Sequence, residues 1–146
     1  MLRKIAVALA AVLLISFASS SPAHAERVRL SANLDGKKEI PLVESGGTAT
    51  ATVWFDKNTG VVTWDIYWSG LSGDPTAAHF HGPASKHNEA GVQVDLGGNG
   101  FASPFRGTAH LTSEQADQLL AGQWYINIHT AAHPDGEIRG QVLKQP

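Results

Sequence analysis

The sequence predicts an all-β protein, an antiparallel β-sandwich with one short helix near residues 113–121. Apolar and polar residues alternate along several short segments, and β-branched residues are frequent there. Glycine, proline, asparagine or aspartate separates these segments, and short strands at such spacing are typical of sandwiches and barrels. The length of 146 residues indicates one small domain.

The N-terminal residues are predicted to be a signal peptide, residues 1–25. Arg3 and Lys4 precede an apolar run over residues 5–17, and Ala23-His24-Ala25 has the A-x-A form of a cleavage site. The apolar run is shorter than the roughly 20 residues that span a membrane. We expect cleavage to leave one domain, residues 26–146, that is secreted or periplasmic and has no membrane span. An uncleaved anchor helix is the alternative.

The first half of the predicted domain contains a strand followed by a hairpin. Alternation predicts a strand over residues 28–34, which the turn Asp35-Gly36 ends. Residues 47–55 and 61–68 predict two strands joined by a turn at 56–60. In the second strand of this hairpin every other side chain is apolar, so one face should be buried. That face is formed by Val62, Trp64, Ile66 and Trp68.

The second half of the predicted domain contains five more strands and the helix. The strands are predicted at residues 77–81, 92–96, 105–111, 124–130 and 137–143. The helix is predicted because Thr112-Ser113-Glu114-Gln115 has the form of a capping box, which satisfies the first backbone N–H groups of a helix. Leu119 and Leu120 give the helix an apolar side, and Gly122 follows at its end.

The composition excludes several kinds of function. The sequence has no cysteine, and its single methionine, Met1, would leave with the signal peptide. Thiolate zinc sites, iron–sulfur clusters, cysteine nucleophiles and sulfur-ligated copper centres are therefore excluded. The formal charge of −2 gives no reason to expect nucleic-acid binding. Only imidazole and oxygen ligands remain, so the six of the seven histidines that follow the predicted signal peptide are of most interest.

Strand alternation favours a metal site formed by His79, His81 and His129. His79 and His81 alternate with Phe80, which places both imidazoles on one strand face. His129 lies at the end of the strand predicted over 124–130. If these strand ends are adjacent, the imidazoles converge and leave an open coordination position, which suits Cu(II) or Zn(II). The alternative is that these histidines are partly buried residues bonded to backbone carbonyls, without a metal.

Further residues are candidates for supporting roles. His133 closely follows His129 and could be a fourth or alternate ligand. Glu137 could accept a hydrogen bond from a ligating imidazole. Tyr125 and Asn127 share the strand face of His129 and complete this set.

The remaining histidines and charged strand residues are expected at the surface. His87 lies in a polar loop and His110 at a strand surface position, and neither is expected to be a ligand. Glu137 and Arg139 alternate on one strand and are expected to form exposed ion pairs across the sheet.

Two long motifs resemble the CHRD domain, the family named for chordin. The first covers residues 76–84 and contains His79-Phe80-His81-Gly82-Pro83, and the second covers residues 125–141. The shorter motifs Glu39-Ile40-Pro41 and 70–73 lie in the same order, and the resemblance extends from about residue 30 to 142. The chain has Leu42 where the family tends to have proline. It has His133 where the family tends to have asparagine, which weakens the case for this histidine as a shared ligand.

The resemblance implies a secreted or periplasmic β-sandwich of the Ig-like or Cu/Zn superoxide dismutase-like kind, without an established enzymatic activity. We expect an exported binding protein that holds Cu(II) or Zn(II) through three histidines. Two alternatives stay open. One is a non-metal cell-envelope interaction or scaffold module with an extracellular or envelope protein partner. The other, less favoured, is a copper-dependent enzyme that handles superoxide.

Overall fold

The computed structural model describes residues 26–98 and 101–146, so the predicted signal peptide lies outside the described residues. The described chain is mostly β, as predicted. Its elements, in chain order, are β1 (Arg27–Asp35), β2 (Thr48–Asp56), β3 (Val61–Ser69), β4 (Pro75–His81), β5 (Val92–Gly98), β6 (Phe105–His110), α1 (Ser113–Leu120), β7 (Tyr125–Thr130), β8 (Ile138–Gln141) and β9 (Leu143–Lys144). One turn of 3-10 helix, Gly36–Lys38, follows β1.

The strands form one antiparallel sheet in the order β5-β4-β7-β8-β1-β2-β3-β6, and β9 pairs with β1. The sheet curves until it is nearly closed into a barrel or sandwich. Two strands far apart in this order therefore face each other across the core. Trp64 of β3 meets Phe80 of β4 edge to face, with ring centroids 5.8 Å apart.

The hairpin and the helix follow the sequence prediction closely. β2 and β3 pair from Asp56↔Val61 to Thr48↔Ser69, and the predicted apolar face of β3 points into the core. At the start of α1, the Thr112 hydroxyl accepts from the Gln115 amide N–H, and the Gln115 side chain accepts from the Thr112 amide N–H. The capping box is thus confirmed.

The prediction of one last strand over residues 137–143 is wrong in one respect. The structure has two strands in this region, β8 and β9. Glu137 precedes β8, and Val142 separates the two strands. The Val142 N–H donates to the Trp124 carbonyl at 2.9 Å, and the Val142 side chain is fully buried. Packing of Val142 into the core therefore redirects the chain at this point.

The pairing of β4 with β7 places the histidines together. Ala77 lies opposite His129, and His79 lies opposite Asn127. The two strands are separated by more than forty residues in the chain, and antiparallel pairing makes them neighbours. In the described part of the chain, no helix is long and apolar enough to cross a membrane.

Candidate metal centre

β4 separates its side chains into a core face and a polar face. Phe80 is fully buried and packs between Trp64 and Trp124. Because side chains alternate along a strand, His79 and His81 point away from this core, and both are half-buried. Their ring centroids lie 5.3 Å apart.

His129 of β7 completes a cluster of imidazoles. The Nδ1 of His79 lies 3.2 Å from the Nε2 of His129, and the ring centroids of His81 and His129 are 6.5 Å apart. One ring nitrogen from each histidine lies within 4.8 Å of the other two. Within residues 26–98 and 101–146, this is the one group of three such side chains that could hold a metal ion. The structure therefore brings together His79, His81 and His129.

Two backbone carbonyls orient the rings of His81 and His129. The Nδ1 of His81 lies 2.9 Å from the Ala90 carbonyl oxygen, and the Nδ1 of His129 lies 2.8 Å from the Pro134 carbonyl oxygen. A carbonyl oxygen only accepts, so Nδ1 carries the proton in both rings. In the neutral imidazoles the Nε2 atoms then have the free lone pairs, which is how proteins orient metal-ligating histidines.

The nitrogen atoms that would bind the metal fit that role. The Nε2 of His81 is buried and has no hydrogen-bond partner among the described residues. Since the Nε2 of His129 is an acceptor, the Nδ1–H of His79 donates to it in this arrangement. A cation could bind Nδ1 of His79 only in the other tautomer of this neutral ring, in which the proton lies on Nε2. The donor set is then Nδ1 of His79 with Nε2 of His81 and His129.

The surroundings of His79 and His81 favour their neutral forms. Burial lowers the pKa of His79, and the nearby His129 lowers it further, while Asp95 opposes the shift. Burial also lowers the pKa of His81 and outweighs its bond to the Ala90 carbonyl. Neutral imidazole is the form that binds metal ions, so these rings are prepared to act as ligands near neutral pH.

Tyr125 holds the ring of His81 in place. The two rings are parallel, with centroids 4.9 Å apart and an interplanar angle of 5°. The Tyr125 hydroxyl accepts from the Ala90 N–H at 3.2 Å and donates to the Ala90 carbonyl at 3.3 Å. Because the same carbonyl accepts from His81, Tyr125 fixes both the plane of this imidazole and its hydrogen-bond partner.

Arg139 covers the other face of Tyr125. Its guanidinium carbon lies 3.5 Å from the Tyr125 ring centroid, a close cation–π contact. Its Nη2 donates to the carbonyls of Ser85 and Asn88, which ties the 82–91 loop to β8. Arg139, Tyr125 and His81 thus form one stack of three side chains, which we call the Arg139 stack.

Glu137 and His133 support the loops around the cluster. Glu137 is fully buried and accepts hydrogen bonds from Ser45, Ser72 and Thr130. Burial alone would raise the pKa of Glu137, but these hydrogen bonds outweigh it and hold that pKa below its usual value. His133 is half-buried in the turn after β7, where its backbone bonds to that of Thr130. The group of three ring nitrogens does not include His133.

Asn127 points to the same side of β7 as His129 but binds a different partner. It is buried, and its side-chain amide donates to a carboxylate oxygen of Glu39. This bond connects the strand that carries His129 to the segment that follows β1. Asn127 is therefore placed to position β7 rather than to reach the cluster itself.

The expectation of exposed ion pairs at Glu137 and Arg139 is wrong. Their side chains are 0% and 2% exposed, because the loops over 36–45 and 82–91 cover this end of the sheet.

Sequence reasoning also missed the carbonyls of Ala90 and Pro134, which accept hydrogen bonds from the histidine rings. No residue type marks a carbonyl acceptor, although the turn over residues 133–136 could have been searched for one. His87 and His110 are exposed, as expected.

Comparison with known proteins identifies the chain at the level of a family. The family model of the CHRD domain matches residues 30–142, a range that includes all three clustered histidines. No curated protein and no solved structure matches the chain.

Proposed function

The chain belongs to the CHRD domain family, and on this premise we propose that it is an exported protein that binds one divalent transition-metal ion, Cu(II) or Zn(II). The ligands are His79, His81 and His129. The observation that carries the proposal is the approach of their ring nitrogens to within 4.8 Å of one another. The carbonyl bonds of His81 and His129 support it, since they leave both Nε2 atoms free to bind.

The donor set favours Cu(II) and Zn(II) over other cations. Ca²⁺ and Mg²⁺ prefer oxygen ligands, whereas imidazole suits zinc and copper. The three histidines are only half-buried, so a solvent molecule or small ligand has access to a fourth position. Cu(I) is disfavoured because the chain offers neither a cysteine nor, beyond Met1, a thioether.

Calorimetric titration of the purified protein with Cu(II) and with Zn(II) tests the proposal. We expect one equivalent to bind with sub-micromolar affinity. His81→Ala and His129→Ala should each weaken binding by at least about 100-fold, because each removes a ligand from a three-ligand site. His87→Ala and His110→Ala are the matched controls, since both residues are exposed and lie outside the cluster. Their affinity should match that of the wild type.

The pH dependence gives a second readout. Protons compete with the metal for imidazole nitrogen, and the pKa values of His79 and His81 lie below the ordinary 6.5. Protonation of these two ligands should therefore weaken metal binding only at a lower pH than protonation of ordinary histidines would. Absence of a sub-micromolar site would overturn the proposal, as would equal losses in the control variants. Thermal stability that is unchanged by metal and by chelator would instead favour a non-metal interaction module.

A further inference from the structure

Arg139, which stacks on Tyr125, also lines a cavity that is separate from the histidine cluster. The cavity has a volume of about 620 Å³ and lies between β1, the segment over 37–40, the loop at 86–87 and the chain from β8 to β9. The clustered histidines do not line it. The lining residues that carry charge are Lys37, Lys38, Glu39, Lys86 and Arg139.

Unpaired positive charge concentrates at this cavity. The described residues include nine lysines and arginines. Four of them form ion pairs with carboxylates, and only one of these four, Lys38, lines the cavity. Three of the five others, Lys37, Lys86 and Arg139, line it. Residues 26–146 contain more acidic than basic side chains. The cavity is thus a cationic region on a domain that is acidic as a whole.

Arg139 has hydrogen-bond donors that are free to bind a ligand in the cavity. Both side-chain hydrogen bonds of Arg139 use its Nη2, which leaves Nη1 and Nε without an acceptor among the described residues. Arg139 is also held rigidly, because it is 2% exposed and stacked on Tyr125. A pre-oriented guanidinium loses little freedom when it binds an oxyanion. Lys37 and Lys86 are exposed and add two ammonium groups to the cavity lining.

Among the described residues, Glu39 is the one carboxylate that lines the cavity, and it offsets little of this charge near neutral pH. Burial raises its pKa to about 7, against the effect of Arg139 and with a further contribution from Glu89. Near neutral pH a large fraction of Glu39 is therefore protonated and uncharged.

We propose that this cavity binds a small phosphate ester, whose phosphoryl oxygens accept from Arg139, Lys37 and Lys86. A phosphate ester carries close to two negative charges at neutral pH, which matches several cations better than a single carboxylate does. The volume lies within the range of small-molecule sites and exceeds what inorganic phosphate alone would fill. Gln141 also lines the cavity, and its buried Oε1 has no partner among the described residues, so it offers an acceptor to a ligand hydroxyl.

The phosphoryl group has two sources, a soluble ester or a lipid headgroup, and the two can be separated with simple probes. Glycerol phosphate serves as the soluble probe, and vesicles of phosphatidylcholine with or without phosphatidic acid serve as the lipid probe. All measurements use the purified protein in chelator at fixed ionic strength, so that metal binding does not contribute. Backbone amide shifts in NMR report binding of the soluble probe, and co-sedimentation reports binding to vesicles.

We expect glycerol phosphate to cause saturable shifts confined to residues around the cavity. Lys37→Gln and Lys86→Gln should each weaken binding roughly tenfold, the usual effect of losing one charge-assisted hydrogen bond. Lys57→Gln removes an exposed lysine from a distant turn and should leave the affinity unchanged.

The outcomes separate the sources and decide the proposal. Binding of glycerol phosphate without vesicle binding supports a soluble ester. Vesicle binding that requires phosphatidic acid and is lost in Lys37→Gln supports a lipid headgroup. Binding of neither probe, or equal weakening by Lys57→Gln, overturns the proposal and leaves the metal proposal untouched.

Discussion

Among individual residues, Tyr125 connects the fold to the chemistry of the cluster most directly. Its hydroxyl bonds to Ala90, whose carbonyl in turn holds the ring of His81. Tyr125→Phe keeps the stacked ring but removes this link. We expect metal affinity to fall about tenfold, as is typical when a group that orients a ligand is lost. Calorimetric titration with Zn(II) measures the change.

Tyr67→Phe is the matched control for this experiment. Tyr67 is exposed, and its hydroxyl bonds to Asp65 and Arg106 on a different strand pair. This variant should bind Zn(II) as the wild type does. Equal affinities in all three proteins would show that the Tyr125 hydroxyl does not position His81.

Glu39 should make folding stability depend on pH. Its folded-state pKa of about 7 lies above the ordinary value of 4.5, so its favourable contribution is complete below pH 4.5 and is lost as the pH rises through 7. Glu39→Gln keeps an acceptor for the Asn127 amide and removes the titration. Relative to this variant, the wild type should lose up to about 3 kcal/mol of unfolding free energy across that window.

Urea denaturation of both proteins at a series of pH values measures this difference. The two proteins differ only at residue 39, so the contributions of all other titrating groups are the same in both and cancel in the comparison. Unfolding free energies that run parallel in the two proteins would contradict the raised pKa of Glu39.

At the level of elements, β4 carries a core residue and two of the clustered histidines on opposite faces. Phe80 packs in the core, whereas His79 and His81 point to the cluster. Phe80→Ala should cost about 3–5 kcal/mol of unfolding free energy because it leaves a cavity among fully buried side chains. Urea denaturation measures this cost. Under conditions where the variant is folded, the number of bound metal ions should stay at one.

Phe101→Ala provides the comparison for Phe80→Ala. Phe101 is partly buried and packs edge to face on Trp68, at the margin of the core. Its removal should cost clearly less, since water already reaches part of the ring. A cost equal to that of Phe80→Ala would show that burial at β4 is not what stabilises this strand.

Elements with local signals could be predicted from the sequence. The hairpin of β2 and β3 has alternation and a turn, and α1 has a capping box, so the sequence predicts both within about two residues of their observed ends. The break between β8 and β9 could not be predicted, because it depends on where Val142 packs in the assembled core. Local patterns contain no information about such distant packing.

At the level of the whole molecule, the sequence could predict that the three histidines converge only on the condition that their strands are neighbours. Alternation placed His79 and His81 on one face, but their approach to His129 required β4 and β7 to be neighbours. That pairing is non-local and follows from the sheet order. The same limit explains the error at Arg139 and Glu137, since only the folded chain shows that two loops cover their strand face.

We expect the Arg139 stack to couple the two proposed sites, the histidine cluster and the cavity. The positive charge of Arg139 is among the influences that lower the pKa of His81, and it equally disfavours a cation at that imidazole. An anion that neutralises Arg139 would relieve this repulsion. Occupancy of either site should then strengthen the other by the same factor, because binding free energies are coupled reciprocally.

Glycerol phosphate titrations of the metal-free and the Zn(II)-loaded protein measure this coupling. Tighter binding to the loaded protein is expected, and identical affinities would show that the two sites act independently. A protein with this property would retain its metal more firmly wherever its anionic ligand is abundant and release it where that ligand is scarce.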